Sequence, residues 1–126
     1  MNQEEEYRKE VILISLERDN KRLLDIYREG EEKNNLSSNA FKNVYERVSY
    51  ALSSSSLFDW DKLPEIEERI KYFFEDYYYD NVPSSSKPDL RYYITSFKRF
   101  FTVLNSEGEI DDRRLSRLFS LLSSYQ

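Results

Sequence analysis

The chain has 126 residues, enough for one hydrophobic core, and a net charge of −5 from 19 basic and 24 acidic side chains. It has no histidine and no cysteine, which removes the commonest general base, the commonest transition-metal ligand and all thiol chemistry together. Ser-His-Asp, Cys-His, His-metal and redox-thiol mechanisms are excluded on that ground, as is a disulfide scaffold.

Only two glycines and three prolines leave little turn chemistry for a many-stranded fold. Apolar residues are few at 39%, but aromatics at 16% bring large buried area per side chain. The longest apolar run, Val11 to Ile14, is far too short to span a bilayer. The opening MNQEEEYRKE is acidic and polar, unlike a signal peptide, so a cytoplasmic protein is expected. High charge with one methionine and no cysteine resembles the composition of heat-adapted proteins.

The spacing predicts a first helix over 4–29. Ile12, Leu13, Leu16, Leu23, Leu24 and Tyr27 form its apolar stripe, and Glu17–Lys21 and Lys21–Asp25 are opposite charges at i, i+4 on its outer face. Gly30 is the expected C-terminal stop, with 31–36 as a polar connector. A second helix starts at a Ser37 or Ser38 cap. Its apolar positions Phe41, Val44, Tyr45, Val48, Ala51 and Leu52 are the cleanest amphipathic pattern in the chain. Ser53 to Ser56 reads as a polar loop.

The third helix carries Pro64 in its first turn and Glu65, Glu67 and Glu68 near the positive end of its dipole. Leu63, Ile66, Ile70, Phe73 and Tyr77 form its expected stripe. A loop over 82–87 precedes the fourth helix, Pro88 to Asn105, with Ser86 as its cap. There Leu90, Ile94, Phe97, Phe101 and Leu104 recur at 4, 3, 4 and 3, the spacing of one buried face. The fifth helix begins at an Asp111 cap, and Ile110 and Leu115 form a hydrophobic staple. Leu115, Leu118, Phe119 and Leu122 face its core side. The expectation is an all-α, single-domain bundle of about five helices over 1–126.

No catalytic motif is present, and neither cofactor nor small-molecule substrate is implied. Asn105 to Arg114 looks like a calcium loop until Gly108 is aligned at the turn position. The first and last ligand positions then hold Val103 and Arg114, where carboxylates are required. The carboxylates of Asp59 and Asp61 are too few for a metal site and suit turn formation and helix capping.

Two surfaces remain. Residues 84–126 carry 7 basic and 5 acidic groups. Arg91, Tyr92, Lys98 and Arg99 lie along one side of the fourth helix, and Arg113, Arg114 and Arg117 cluster on the fifth. Arg113 and Arg114 oppose the helix dipole, a hint of an anionic partner. A phosphate backbone with a stacked base fits this set; an ordinary salt-bridged face fits it as well. Residues 57–83 carry 3 basic and 8 acidic groups. Within them Glu75, Asp76, Tyr78 and Tyr79 offer a carboxylate and tyrosine surface to a protein partner. Three tyrosines in a row, Tyr77 to Tyr79, cannot all face inward on one helix, and Tyr77 fits the buried stripe.

Leu36-Ser37-Ser38-Asn39-Ala40-Phe41, continuing through Val44, Tyr45 and Val48, with the later Ser96-Phe97-Lys98-Arg99-Phe100-Phe101, resembles the helical small subunit of type III CRISPR effector complexes. The resemblance covers about a third of the chain. It implies a non-catalytic, RNA-contacting subunit of a ribonucleoprotein in antiviral defence, stacked in several copies, with Lys98, Arg99 and Arg91 turned to RNA. Two departures from that family are the acidic net charge and the separate fifth helix. The other reading of the chain is an acidic inhibitor or immunity-type protein that meets a basic partner through Glu67, Glu68, Glu75, Asp76 and exposed tyrosines.

Overall fold

The computed structural model describes residues 2–82 and 87–126, without the Lys87 side chain. Among them there is no strand. Helix α1 runs Gln3–Asn34 and α2 Ser38–Ser53, followed by a 3-10 turn, Ser54–Leu57. Helix α3, Ile66–Tyr72, passes through a π turn, Phe73–Tyr77, into α4, Tyr78–Asn81, as one rod. Helices α5, Lys87–Ser106, and α6, Asp112–Ser123, complete an all-α bundle of five rods. Residues 83–86, including the expected cap Ser86, lie outside the described residues.

Helix α5 is the centre. It packs against α1, α2 and α6, and its whole expected stripe is buried, together with Phe100 and Val103. Phe74, Phe97, Phe100 and Phe101 form a chain of ring contacts 5.3–6.4 Å apart, the spacing at which aromatic pairs add to simple area burial. The expected caps hold at two helices. Ser37 Oγ accepts from the Ala40 N–H, and an Asp111 carboxylate oxygen accepts from the Arg114 N–H.

Helix α1 does not stop at Gly30. It continues to Asn34, and Asn35 takes the left-handed conformation at φ 53°, while the Leu36 N–H reaches back to the Glu31 carbonyl. Asparagine serves this cap because its short polar side chain tolerates the left-handed region. Gly30 plays a different part. A Cβ there would run into the Val103 side chain of α5, so the missing side chain lets two helices close together. The glycine that does take the left-handed conformation at a helix end is Gly108, φ 83°, between α5 and α6. Its N–H bonds the Asn105 carbonyl and the Glu109 N–H bonds that of Leu104, a paired closure of the helix end in place of a calcium loop.

Helix α3 starts later than expected. Pro64 precedes it, Glu65 is the cap, and the Glu65 N–H donates to Glu68 Oε2 at 3.1 Å. Leu63 is therefore exposed and outside the stripe. The π turn then shifts the register. The Tyr78 N–H bonds the carbonyl of Phe73, five residues back, so the buried line of Ile66, Ile70, Phe73 and Phe74 continues at Tyr78, leaving Tyr77 half-buried. Ser54 and Ser55 are buried too, so the expected polar loop is part of the core wall. The Trp60 indole N–H holds the Ser55 carbonyl at 2.7 Å.

Candidate functional site

Buried polar side chains decide which of the surface charges are already paired within the chain. Glu31 on α1 is only 2% exposed. Arg99 on α5 grips both its oxygens, Nε to Oε2 at 2.9 Å and Nη2 to Oε1 at 2.6 Å. The Tyr27 hydroxyl donates to Oε2 at 2.7 Å and Asn34 Nδ2 to Oε1 at 3.2 Å. Burial alone would raise the Glu31 pKa, but these donors outweigh it and hold the carboxyl below its ordinary range. Burial and the bond to Glu31 push the Tyr27 hydroxyl the other way. The geometry is that of a locked interhelical bridge.

A second network centres on buried Arg69. Its guanidinium bonds the Pro64 carbonyl at 2.8 and 3.1 Å, Asn20 Oδ1 at 2.9 Å and Asp19 Oδ2 at 2.8 Å. Asn20 passes the chain on to the Leu52 carbonyl, and Asp19 to Arg22, which bonds Glu109 at 2.7 Å. This network borders a cavity of about 230 Å³ with an apolar floor that includes Leu23, Ile66 and Phe101. Every arginine at its rim is already paired with a carboxylate.

The cationic set of α5 and α6 is thus divided. Arg99 is bound to Glu31. Arg114 is clasped by Glu67 at 2.8 Å and Glu65 at 3.1 Å across to α3, so the anionic partner hinted at by its place against the dipole lies within the chain. Lys98 sits over the Phe119 ring at 5.8 Å. Arg91, Arg113 and Arg117 are exposed and make no ion pair among the described residues. Tyr92 is exposed, and Arg47 of α2 stacks on its ring at 5.0 Å. Arg47 was not legible as part of this surface, because it flanks the α2 stripe and meets Tyr92 only through packing of α2 on α5.

The acidic surface is smaller than expected. Tyr78 is fully buried by the register shift and cannot serve as a contact residue there. Tyr79 is 59% exposed, and Asp76 is exposed beside it. Glu75 accepts a hydrogen bond from the Tyr125 hydroxyl at 2.8 Å, and the Tyr125 ring stacks on Phe74 at 4.9 Å. No group of three or more histidine, cysteine or acidic residues that could hold a metal ion occurs among the described residues. Nor is any helix among them long and apolar enough to cross a membrane.

A third surface was not anticipated. No residue of α1 before Leu16 is buried among the described residues. Lys9, Ile12 and Leu16 line one side of this segment, where Lys9 bonds Asp59 at 2.8 Å and Ile12 faces Phe58 and Trp60 across a cavity of about 180 Å³. On the opposite side Tyr7, Val11 and Ile14 are 70%, 45% and 54% exposed. The available signal was the run Val11 to Ile14: four apolar residues in succession on a helix cannot share one face.

The chain matches no family model, no curated protein and no solved structure.

Proposed function

We propose that the protein is a non-catalytic assembly subunit that meets a protein partner along the outer face of α1. The observation that carries this reading is the stripe Tyr7, Val11 and Ile14, turned away from a bundle that already has a closed core. Single exposed apolar residues need no explanation. Three in line at helical spacing, on a segment that the bundle hardly covers, fit a contact awaiting a partner helix. The test is thermal melting of Val11→Ser plus Ile14→Ser at about 1 μM protein, where a partner surface changes Tm by less than about 3 °C. A fall of about 10 °C or more would assign the stripe to the fold itself and end this reading.

A second contact, with RNA, is favoured by the stack of half-buried Arg47 on exposed Tyr92, next to exposed Arg91. An arginine held on an open tyrosine ring offers charge to a phosphate and a face to a base. With this contact the chain would fit the RNA-contacting small subunit that its sequence resembles. Binding to single-stranded RNA should weaken with salt and with Arg47→Ala plus Arg91→Ala. Absence of binding at low salt and high protein concentration removes RNA and leaves the protein contact standing.

A further inference from the structure

We infer that the partner of the α1 face is a second copy of this chain, paired antiparallel along α1 in one register. The inference rests on the reading of Tyr7, Val11 and Ile14 as an interaction stripe and adds what covers it.

The stripe extends in both directions at the same spacing. Glu4, Tyr7, Val11, Ile14, Arg18 and Lys21 follow one another at 3, 4, 3, 4 and 3, and all six are exposed. This is a coiled-coil seam of three heptad-like pairs, centred about half a turn from the face that Lys9, Ile12 and Leu16 turn to the bundle. A partner helix laid on it meets no part of the bundle face, and its own bundle lies on its far side.

Charge selects the direction. Parallel pairing would set each seam residue against itself, Glu4 on Glu4, Arg18 on Arg18 and Lys21 on Lys21, three like-charge layers. Antiparallel pairing with Val11 opposite Ile14 of the second copy sets Tyr7 opposite Arg18 and Glu4 opposite Lys21. The centre is then four aliphatic side chains. Next to it on each side lies an arginine over a tyrosine ring, and outside that an opposite-charge pair. The two-fold axis makes every contact occur twice, so the patch is self-complementary and closes at two copies.

Other charges face the seam. Glu10 and Glu17 lie on one flank and meet each other across the pair as like charges, while Arg8 and Ser15 lie on the opposite flank. Lys21 also touches Asp25 of its own helix at 3.4 Å, on an 81% exposed side chain, a contact weak enough to exchange. The Glu10–Glu17 repulsion and the six-layer length place the pair in the weak class, with Kd on the order of tens of micromolar.

The absence of cysteine makes the register directly measurable. A mixture of Val11→Cys and Ile14→Cys chains, under mild oxidation, should give mainly the mixed disulfide, because those positions face each other within bonding reach. Sedimentation velocity from about 1 to about 500 μM should show monomer passing to dimer. Val11→Arg should weaken the pair at least tenfold. Glu17→Lys should tighten it several-fold, since it replaces the Glu10–Glu17 repulsion by attraction in this register and is remote from any core contact. A monomer at every concentration overturns the second copy as partner, while the melting test above decides separately whether the stripe is a contact surface at all. Mainly like disulfides, 11 to 11 and 14 to 14, or weakening by Glu17→Lys, overturn the register.

Discussion

Replacing Arg99 with alanine removes both bonds from its guanidinium to Glu31 and leaves a carboxylate whose side chain is 1% exposed. Breaking a fully buried pair by deleting one partner costs about 3–5 kcal/mol. Two features reduce that here. The Arg99 side chain is 39% exposed, and Tyr27 and Asn34 still donate to the carboxylate. A cost of about 2–3 kcal/mol follows. For a chain of this length that is a fall in Tm of roughly 8–12 °C, measurable by calorimetry near neutral pH. Glu31 also sets a pH dependence. Its folded pKa lies below the ordinary value, so its contribution is fully present above about pH 4.3 and is lost as pH falls through the folded pKa. Arg99→Ala should therefore flatten the acid limb of the stability curve as well as lower its plateau. Pairing it with Glu31→Gln should recover part of the loss, since the uncompensated charge is gone. A Tm within about 2 °C of the parent, with an unchanged acid limb, would refute the bridge.

Gly30→Ala should destabilise by about 1–3 kcal/mol through overpacking against Val103, although alanine is the better helix former, and Val103→Ala should relieve the clash; chemical denaturation of the two variants and their combination reads both effects. Tyr78→Ala should cost about 3–5 kcal/mol and Tyr79→Ala less than about 0.5, and equal costs in urea unfolding would contradict the register shift at the π turn. The hydrogen bond between the Tyr50 and Tyr77 hydroxyls, 3.0 Å, and partial burial push the Tyr50 pKa up to about 12. Ultraviolet titration should show that ionisation moving down towards the ordinary tyrosine value in Tyr77→Phe.

The bundle itself was readable because its stripes are long and periodic. Helix α5 shows this best, with all five expected positions buried. What sequence could not show follows from packing between distant segments. Gly30 looks like a stop because a glycine favours the left-handed conformation, but the closeness of Val103 is a property of α1 against α5. Tyr77 fits a regular helix, and only the π turn hands its place to Tyr78. Arg99 and Arg114 have the composition of a nucleic-acid face, yet their carboxylates come from 68 and 47 residues away. Charge spacing along one helix says nothing about which acids another helix brings. The α1 stripe lies in plain view in the sequence, but a core-seeking reading assigns apolar residues inward and passes over those that face out.

The contact along α1 is tested most directly by amide hydrogen exchange over residues 3–15 at protein concentrations of roughly 1 and 500 μM. A helix segment with no buried side chain should open readily when alone and gain protection when its outer face is covered. Exchange in this segment should slow at the higher concentration while the rest of the bundle is unchanged, and Val11→Arg should abolish the difference. Equal exchange at both concentrations would contradict a second copy as the partner on this face.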